Sequence, residues 1–276
     1  MITIGKLNKL RILRKTDKEI MLDGQEEGEL LLPKREIPLD AITEDEIEVF
    51  IYRNAQRKAV ATGIYPCVMA GEFDFLTVNE TSEAGALLDW GLSRDLFLPA
   101  REQKMRVRVD GTYLVYVYYD LNSRQIIATM RIERFIGNTK PEYIMNQEVD
   151  LLFVRETEIG YRVIVDNAHW GMVYRSEIFQ PVNYGLRTKG YVKQVREDGK
   201  IDVSLQKQGY KVVDELGELI LEKLQENGGF LSVNDNTSSE EINDLFACSK
   251  KSFKKTIGTL YRNHRIFITD EGIRAV

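Results

Sequence analysis

One stretch of sequence recurs three times in the first three quarters of this 276-residue chain. Residues 28–36 read GELLLPKRE and residues 95–102 read DLFLPARE, and both end in Leu-Pro-x-Arg-Glu. Residues 171–179, GMVYRSEIF, form a looser third copy. Because each copy of an internal repeat must build the same structural unit, this feature constrains the fold more than composition does.

The segments around each copy have the pattern of β-strands. An alternating apolar stretch with a polar turn precedes each copy, and a second pair of β-rich stretches separated by turn residues follows it. The spacing from the copy to the end of this second pair is nearly constant. The pattern of each repeat therefore predicts about five short strands in roughly 60–70 residues, which is the layout of a closed OB barrel.

The periodicity becomes helical after residue 209. An apolar stripe that stops at the glycine pair 228–229 predicts one helix, and Ser238 and Glu241 have capping-box spacing for a second. A third apolar stripe begins near Lys250, and a hairpin pattern ends the chain. Helix, short strand, helix, helix and hairpin predict a winged-helix domain whose third helix is the recognition helix.

These patterns predict a mainly β, multidomain chain with three tandem five-stranded OB-fold barrels and a C-terminal α+β winged-helix domain. The predicted boundaries are 1–63, 64–137 and 145–208 for the three repeats and 212–276 for the winged helix. Residues 134–147 are predicted to form a hinge between repeats two and three. Along the tyrosine-rich strand of repeat two, the two faces are expected to lie in the core and between repeats.

Composition and motifs argue against several classes of protein. The net charge of −5 provides no bulk basicity for coating nucleic acid, although a local basic face is compatible with it. Two cysteines and two histidines are scattered singly, which argues against a disulfide framework and a zinc site. The chain also contains no phosphate-loop, dinucleotide, nucleophile-elbow or metalloprotease motif. We therefore expect a non-catalytic protein with no metal and no other cofactor.

The sequence also bears on the compartment. No apolar run approaches the ~18 residues of a membrane helix, and the first residues lack the apolar core of a signal peptide. Two cysteines that are far apart in sequence, Cys67 and Cys248, fit a reducing environment. We expect a cytoplasmic protein that does not bind membranes.

Repeat three resembles an S1-type RNA-binding domain. The residues that carry this resemblance are Gly160, Val163, Gly171, Val173, Ser176 and Glu177, with residues 198–201 and 204–205 in the closing hairpin. Repeats one and two resemble it faintly and are assigned through the internal repeat. Three such repeats before a winged helix resemble the conserved virulence factor B family of Gram-positive bacteria over nearly the whole chain. The resemblance implies post-transcriptional regulation through RNA.

The S1 resemblance also implies a ligand face, made in that family by two phenylalanine positions and a histidine position. In repeat three these positions hold Ile159, Arg162 and Tyr174. Single strands bind by stacking on rings and along a positive groove, so Tyr174 offers a ring and Arg162 can stack or bind phosphate. The predicted RNA-binding residues are Arg162, Tyr174, Arg175, Lys193, Arg196 and Lys200 in repeat three and Lys250, Lys251, Lys254, Lys255 and Arg262 in the winged helix. The alternative, that the basic residues are ordinary solvated faces, stays open.

Repeats one and two lack this set of rings. The equivalent positions hold Lys18, Met21 and Pro33 in repeat one and Ala84, Leu87 and Pro99 in repeat two. We therefore expect these two repeats to have lost the ligand face.

Three functions fit these features. The first is a non-catalytic regulator that binds single-stranded RNA through repeat three and the winged helix, which Tyr174 favours. The second is a DNA-binding regulator whose winged helix reads duplex DNA. The third is a protein-interaction scaffold, which the lack of a strongly basic domain favours.

Overall fold

The computed structural model describes residues 1–37, 42–43, 45–54, 56–175, 178, 182–205 and 211–276, without the side chains of 42–43 and 211–215. Two residues of the S1 resemblance, Ser176 and Glu177, lie outside the described residues, as does the stretch 206–210 before the winged helix.

Repeat one folds into a nearly closed barrel. Its strands are β1 (Leu7–Lys15), β2 (Glu19–Asp23), β3 (Glu29–Pro33), β4 (Ile42–Thr43), β5 (Glu46–Arg53) and β6 (Ala59–Thr62). The sheet order is β3-β2-β1-β5-β4, β6 pairs with β5, and β3 lies beside β6. Alternating apolar residues such as Leu22, Leu32 and Ile47 are fully buried and fill the interior.

Repeats two and three are closed barrels of five strands each. Repeat two has β7 (Glu72–Thr81), β8 (Gly85–Asp89), β9 (Leu96–Pro99), β10 (Thr112–Asp120) and β11 (Gln125–Thr129) in the order β10-β11-β9-β8-β7. Repeat three has β12 (Glu148–Thr157), β13 (Gly160–Val165), β14 (His169–Tyr174), β15 (Arg187–Val195) and β16 (Ile201–Ser204) in the order β12-β13-β14-β16-β15. Closure covers the strand edges that an open sheet would expose.

The internal repeat is visible in the backbone as well as in the sequence. The first hairpin of each barrel has a register shift at the same place, after Ile12, Val78 and Phe153. A β-bulge bends its strand and increases the local twist, so each first strand curls into its barrel at the same point. The predicted fold, mainly β with three barrels and a winged helix, is confirmed.

The C-terminal residues form the winged helix. Its elements are α1 (Lys211–Glu226), β17 (Phe230–Leu231), α2 (Ser239–Phe246), α3 (Lys250–Arg262), β18 (Ile266–Thr269) and β19 (Gly272–Ala275), with the sheet order β17-β19-β18. Ser238 Oγ accepts a hydrogen bond from Glu241 N at 3.2 Å, so the predicted cap of α2 is confirmed. Phe246 stacks on Phe253 in the core, with ring centroids 5.2 Å apart. Within the described ranges, no helix has the length and apolar character needed to cross a membrane.

An apolar cluster joins repeats two and three. Its buried members are Phe73, Ile132, Ile136, Leu152 and Ile164. Hydrogen bonding supports the cluster, because Phe73 N donates to Asn167 Oδ1 at 3.1 Å across the junction. An ion pair of 3.1 Å between Arg187 of repeat three and Asp74 of repeat two also crosses the junction. The two repeats are therefore packed against each other.

The stretch between these repeats does not have the structure of a free hinge. Ile136 is buried in the junction cluster. The ring of His169, itself buried, is 3.2 Å from the hydroxyl of Tyr143 through Nδ1 and 2.9 Å from the carbonyl of Thr139 through Nε2. The hinge prediction is wrong because these contacts bind residues 134–147 to repeat three.

The tyrosine-rich strand β10 uses its two faces differently. Tyr116 lies at the junction with repeat three and stacks on Phe135 with ring centroids 4.1 Å apart. Tyr119 packs against the core of repeat two, and its hydroxyl accepts a hydrogen bond from Arg53 of repeat one at 3.4 Å. The expected division between core and interface is confirmed.

Candidate nucleic-acid interface

The outer face of β13 and β14 carries the candidate site in repeat three. Side chains of β14 alternate, so that Gly171 and Val173 are buried in the barrel while Trp170, Met172 and Tyr174 lie on the outer face, half-buried. Tyr174 is paired with Gly160 across the two strands. The outer face thus offers a row of large side chains.

Gly160 is required where it lies. A Cβ atom added to it would come 2.1 Å from the carbonyl oxygen of Val173, and its φ of +156° is one that side chains rarely adopt. The absence of a side chain lets β13 approach β14 next to Tyr174. The neighbouring turn residue Ile159 is 56% exposed and adds apolar surface at the same end of the face.

Tyr174 belongs to a polar cluster on this face. Its hydroxyl donates to Asp202 Oδ1 at 3.4 Å and accepts a hydrogen bond from Arg196. Asp202 is only 3% exposed, and its carboxylate pairs with Arg196 at 2.8 Å. The hydrogen bond to Asp202 raises the pKa of Arg196, so this side chain is charged at any physiological pH.

Two cations lie close to the tyrosine ring. Lys193 Nζ lies 6.0 Å from the ring centroid and the guanidinium carbon of Arg196 lies 5.9 Å from it. The predicted residues Tyr174, Lys193 and Arg196 are thus brought together by β14, β15 and the turn after it. A ring with cations beside it is an arrangement that can bind an unpaired base and its phosphate.

Arg162 lies on the same face but is turned the other way. Its guanidinium carbon is 3.6 Å from the ring centroid of Trp170, which lies on the far side of Met172 from Tyr174. Burial lowers the pKa of Arg162, and the charge of nearby Arg155 lowers it further. The structure therefore places Arg162 beside the junction with repeat two and apart from the Tyr174 cluster.

The remaining predicted residues of repeat three lie at its rim in exposed ion pairs. Arg175 pairs with Glu156 at 2.8 Å and Lys200 pairs with Asp198 at 2.7 Å. The hydrogen bond from Lys200 lowers the pKa of Asp198. Exposed pairs contribute little stability, typically about 0–1 kcal/mol, so a phosphate can exchange for the carboxylate at small cost.

In the winged helix, α3 carries its lysines opposite the core. Lys251, Lys254 and Lys255 are exposed, and a Cβ atom added at Gly258 would meet no atom within 4 Å. This leaves an open basic face along the helix. The ion pair of Lys254 is weak, because its Nζ is 3.9 Å from Asp235 Oδ2.

The two other predicted residues of α3 are held at its ends. Lys250 Nζ is 3.4 Å from the carbonyl of Asn236. Arg262 Nε donates to the carbonyl of Gly258 at 3.2 Å, one turn back on the same helix. The wing, in contrast, turns at Asp270 and Glu271, whose charge opposes contact with a phosphate backbone.

The sequence did not single out Asp202 or Trp170 as parts of this face. Asp202 follows Ile201 in β16 and so takes the outer face, which the alternation of the strand indicates. Trp170 lies at the junction between repeats, where only tertiary packing places it.

Over the part of the chain that the structure describes, no group of three or more potential ligands is arranged to hold a metal ion.

Comparison with protein families identifies the domains. The S1 domain model matches residues 4–63 and 70–131, and the CvfB-like winged helix domain model matches residues 218–274. The S1 match falls on repeats one and two, the copies whose resemblance to S1 domains was faint by inspection. These repeats therefore keep the S1 pattern of the barrel although the ring positions have changed.

Relatives are found along most of the chain. Uncharacterized protein YitL of Bacillus subtilis is 30% identical over 258 residues, which cover 90% of this chain and 85% of YitL. Conserved virulence factor B of Staphylococcus aureus strain USA300 is 25% identical over 283 residues, covering 96% of this chain and 91% of the relative. A solved multidomain protein with nucleic acid binding domains from Streptococcus pneumoniae is 20% identical with a TM-score of 0.39, covering 99% and 98% of the two chains.

Proposed function

The chain belongs to the conserved virulence factor B family, and from this premise we propose that it is a non-catalytic regulator that binds single-stranded RNA. S1 and winged-helix domains are nucleic-acid-binding folds. The proposal assigns binding to the outer face of repeat three and to α3. The regulation it implies is post-transcriptional, in the cytoplasm, where unpaired Cys67 and Cys248 would stay reduced.

The observation that carries the proposal is the Tyr174 cluster. A half-buried ring on the outer face of the barrel has two cations beside it, with Lys193 Nζ 6.0 Å and the guanidinium carbon of Arg196 5.9 Å from the ring centroid. Stacking of one base on such a ring contributes roughly 1–3 kcal/mol, and the cations attract the adjoining phosphates. Because rings are presented to bases that are free of a duplex, this arrangement favours a single strand.

Charge in the winged helix supports a single strand over a duplex. The lysines of α3 supply a positive face, but the wing carries Asp270 and Glu271 at its turn. A winged helix bound to duplex DNA brings both its recognition helix and its wing close to phosphates. An acidic wing opposes the contact between the wing and the DNA backbone. We therefore assign α3 to the backbone of the same strand that stacks on Tyr174.

The test compares labelled oligo-uridylate with duplex DNA by fluorescence anisotropy over a salt series. We expect binding to the single strand that weakens steeply with salt, and a loss of at least tenfold in Tyr174→Ala. Tyr174→Phe is the matched control, since it keeps the ring and removes the hydroxyl. Duplex binding alone would favour a DNA-binding regulator, and binding to neither would favour a protein-interaction scaffold.

A combined variant extends this test. Tyr174→Ala with Arg162→Ala is expected to lose at least as much affinity as Tyr174→Ala alone, with the barrels still folded. An intact circular dichroism spectrum with unchanged affinity would refute this site in repeat three.

A further inference from the structure

Repeat two has a groove at the place where repeat three carries the Tyr174 cluster. Pro99 pairs with Gly85 in repeat two just as Tyr174 pairs with Gly160 in repeat three. The parallel pairing that closes the barrel also corresponds, because β9 pairs with β11 as β14 pairs with β16. The same outer face is therefore present in both repeats.

Side-chain size explains why the groove is open. Ala84 and Pro99 stand at the positions of Ile159 and Tyr174, so neither of these two positions contributes a large side chain to this face of repeat two. The result is a groove of about 480 Å³ along β9. Repeat two therefore has an open groove at the position where repeat three carries the ring of Tyr174.

A ring is still present in this groove. Phe97, two residues before Pro99 on β9, is half-buried and lines the groove. It also lines a second, smaller cleft together with Arg94 and Trp90. Gln125 and Ser123 line the groove as well and supply polar groups that can meet the edge of a base.

Two arginines give the groove its charge. Arg57 comes from the last hairpin of repeat one and Arg101 follows β9, and both side chains are exposed. One acidic residue, Asp120, also lines the groove, but its carboxylate already accepts hydrogen bonds from the backbone of Ser123 at 3.0 Å. Arg101 is 4.0 Å from Asp120, which is the outer limit of an ion pair.

We propose that this groove is a second single-strand site, in which a base stacks on Phe97 while Arg57 and Arg101 bind the flanking phosphates. The inference rests on the proposed function and extends it to a repeat whose ligand face the sequence predicted to be lost. Stacking tolerates any base, so a ring at a new position on the same face serves equally well. Guanidinium groups match the geometry of phosphate oxygens.

The groove of repeat two and the Tyr174 cluster of repeat three can bind the same RNA strand, which should raise the affinity for long strands. Repeat two is packed against repeat three through the junction cluster, so the two faces are held at a fixed separation. A strand long enough to reach both binds the second site at high effective concentration. Affinity should therefore rise with strand length beyond what one barrel occupies.

The test uses the full chain and two labelled oligo-uridylates of about 8 and about 24 nucleotides, since one OB fold occupies roughly 4–16. Arg57→Gln with Arg101→Gln, and separately Phe97→Leu, should weaken binding of the long probe about fivefold and of the short probe less than about twofold. A thiouridine-containing long probe should crosslink to the peptide that contains Phe97. Arg11→Gln with Arg14→Gln, which removes the same charge from β1, is the matched control.

The possible results separate this inference from the function on which it rests. If the wild-type chain binds neither probe, the proposed function fails and the groove proposal with it. If Tyr174→Ala weakens binding but the groove variants bind the long probe normally and Phe97 is not crosslinked, only the groove proposal fails. Circular dichroism of each variant confirms that the barrels are folded.

Discussion

The guanidinium carbon of Arg162 lies 3.6 Å from the ring centroid of Trp170, on the side of repeat three that meets repeat two. Trp170 packs in turn against the apolar cluster of the junction. Partial burial withdraws the charge of Arg162 from solvent and lowers its pKa. The pair therefore joins the candidate RNA-binding face to the contact that holds the two repeats together.

Removing this stack should destabilise the protein. Arg162→Ala is expected to lower the free energy of unfolding by about 0.5–2 kcal/mol, the range for a cation over an aromatic ring. Arg162→Lys keeps the charge but not the flat guanidinium, so it should recover only part of the loss. Urea denaturation followed by tryptophan fluorescence measures both, and an unchanged midpoint for Arg162→Ala would contradict the assignment.

The junction should also respond to loss of one hydrogen bond. Asn167 has a left-handed backbone with φ of 53°, and its Oδ1 accepts from Phe73 N. Asn167→Gly suits that backbone but removes the acceptor, so we expect the amide of Phe73 to exchange with solvent about fivefold faster or more, equivalent to roughly 1 kcal/mol. Asn167→Asp keeps an acceptor and serves as the control in hydrogen-exchange measurements. Equal protection in all three proteins would show that the bond is dispensable.

The architecture could be predicted because it depends on local spacing. Copies ending at Glu36 and Glu102, alternating strands and a capping box at Ser238 are all properties of short segments, and each has its counterpart in the structure. The helical stripe of α3 was equally visible, since Phe253 and Ile257 recur at helical spacing and are buried.

The rest depended on tertiary packing that short segments do not encode. The S1 resemblance predicted that Arg162 contacts RNA, but in the structure its guanidinium stacks on Trp170 across the hairpin. Asp202 is buried beneath side chains from outside its own strand, since Tyr174, Arg196 and Gln194 all hydrogen-bond to its carboxylate. The groove of repeat two was not predicted. The sequence shows a proline, Pro99, where the S1 pattern has a ring, but it does not show the open space beside that proline.

Alkaline pH should weaken the contact between Tyr143 and His169. Burial, with a contribution from the charge of Asp166, raises the pKa of Tyr143 to about 12. In the unfolded chain a tyrosine loses its proton near pH 10. Because the folded-state pKa is the higher one, the stability linked to this group is fully present below about pH 10 and is lost as pH rises through about 12.

Thermal unfolding at about pH 8, 10 and 11 tests this linkage. The wild type should lose stability over this range more steeply than Tyr143→Phe, which has no proton to lose. Tyr184→Phe, at a tyrosine that is 63% exposed, should follow the wild type. Parallel curves for the wild type and Tyr143→Phe would argue against a buried hydroxyl at position 143.

The lysines of α3 should determine how strongly RNA binding depends on salt. Each cation that contacts a phosphate releases counterions, which adds roughly 0.7 to the slope of log affinity against log salt for a single strand. Changing Lys250, Lys251, Lys254 and Lys255 together to Gln should therefore lower that slope by about 2–3 and weaken binding at low salt. The matched control changes four lysines of repeat one to Gln, namely Lys15, Lys18, Lys34 and Lys58, and should leave the slope nearly unaltered. An equal fall in both variants would mean that the whole surface attracts RNA, whereas an unaltered slope in the α3 variant would show that this helix does not touch the strand.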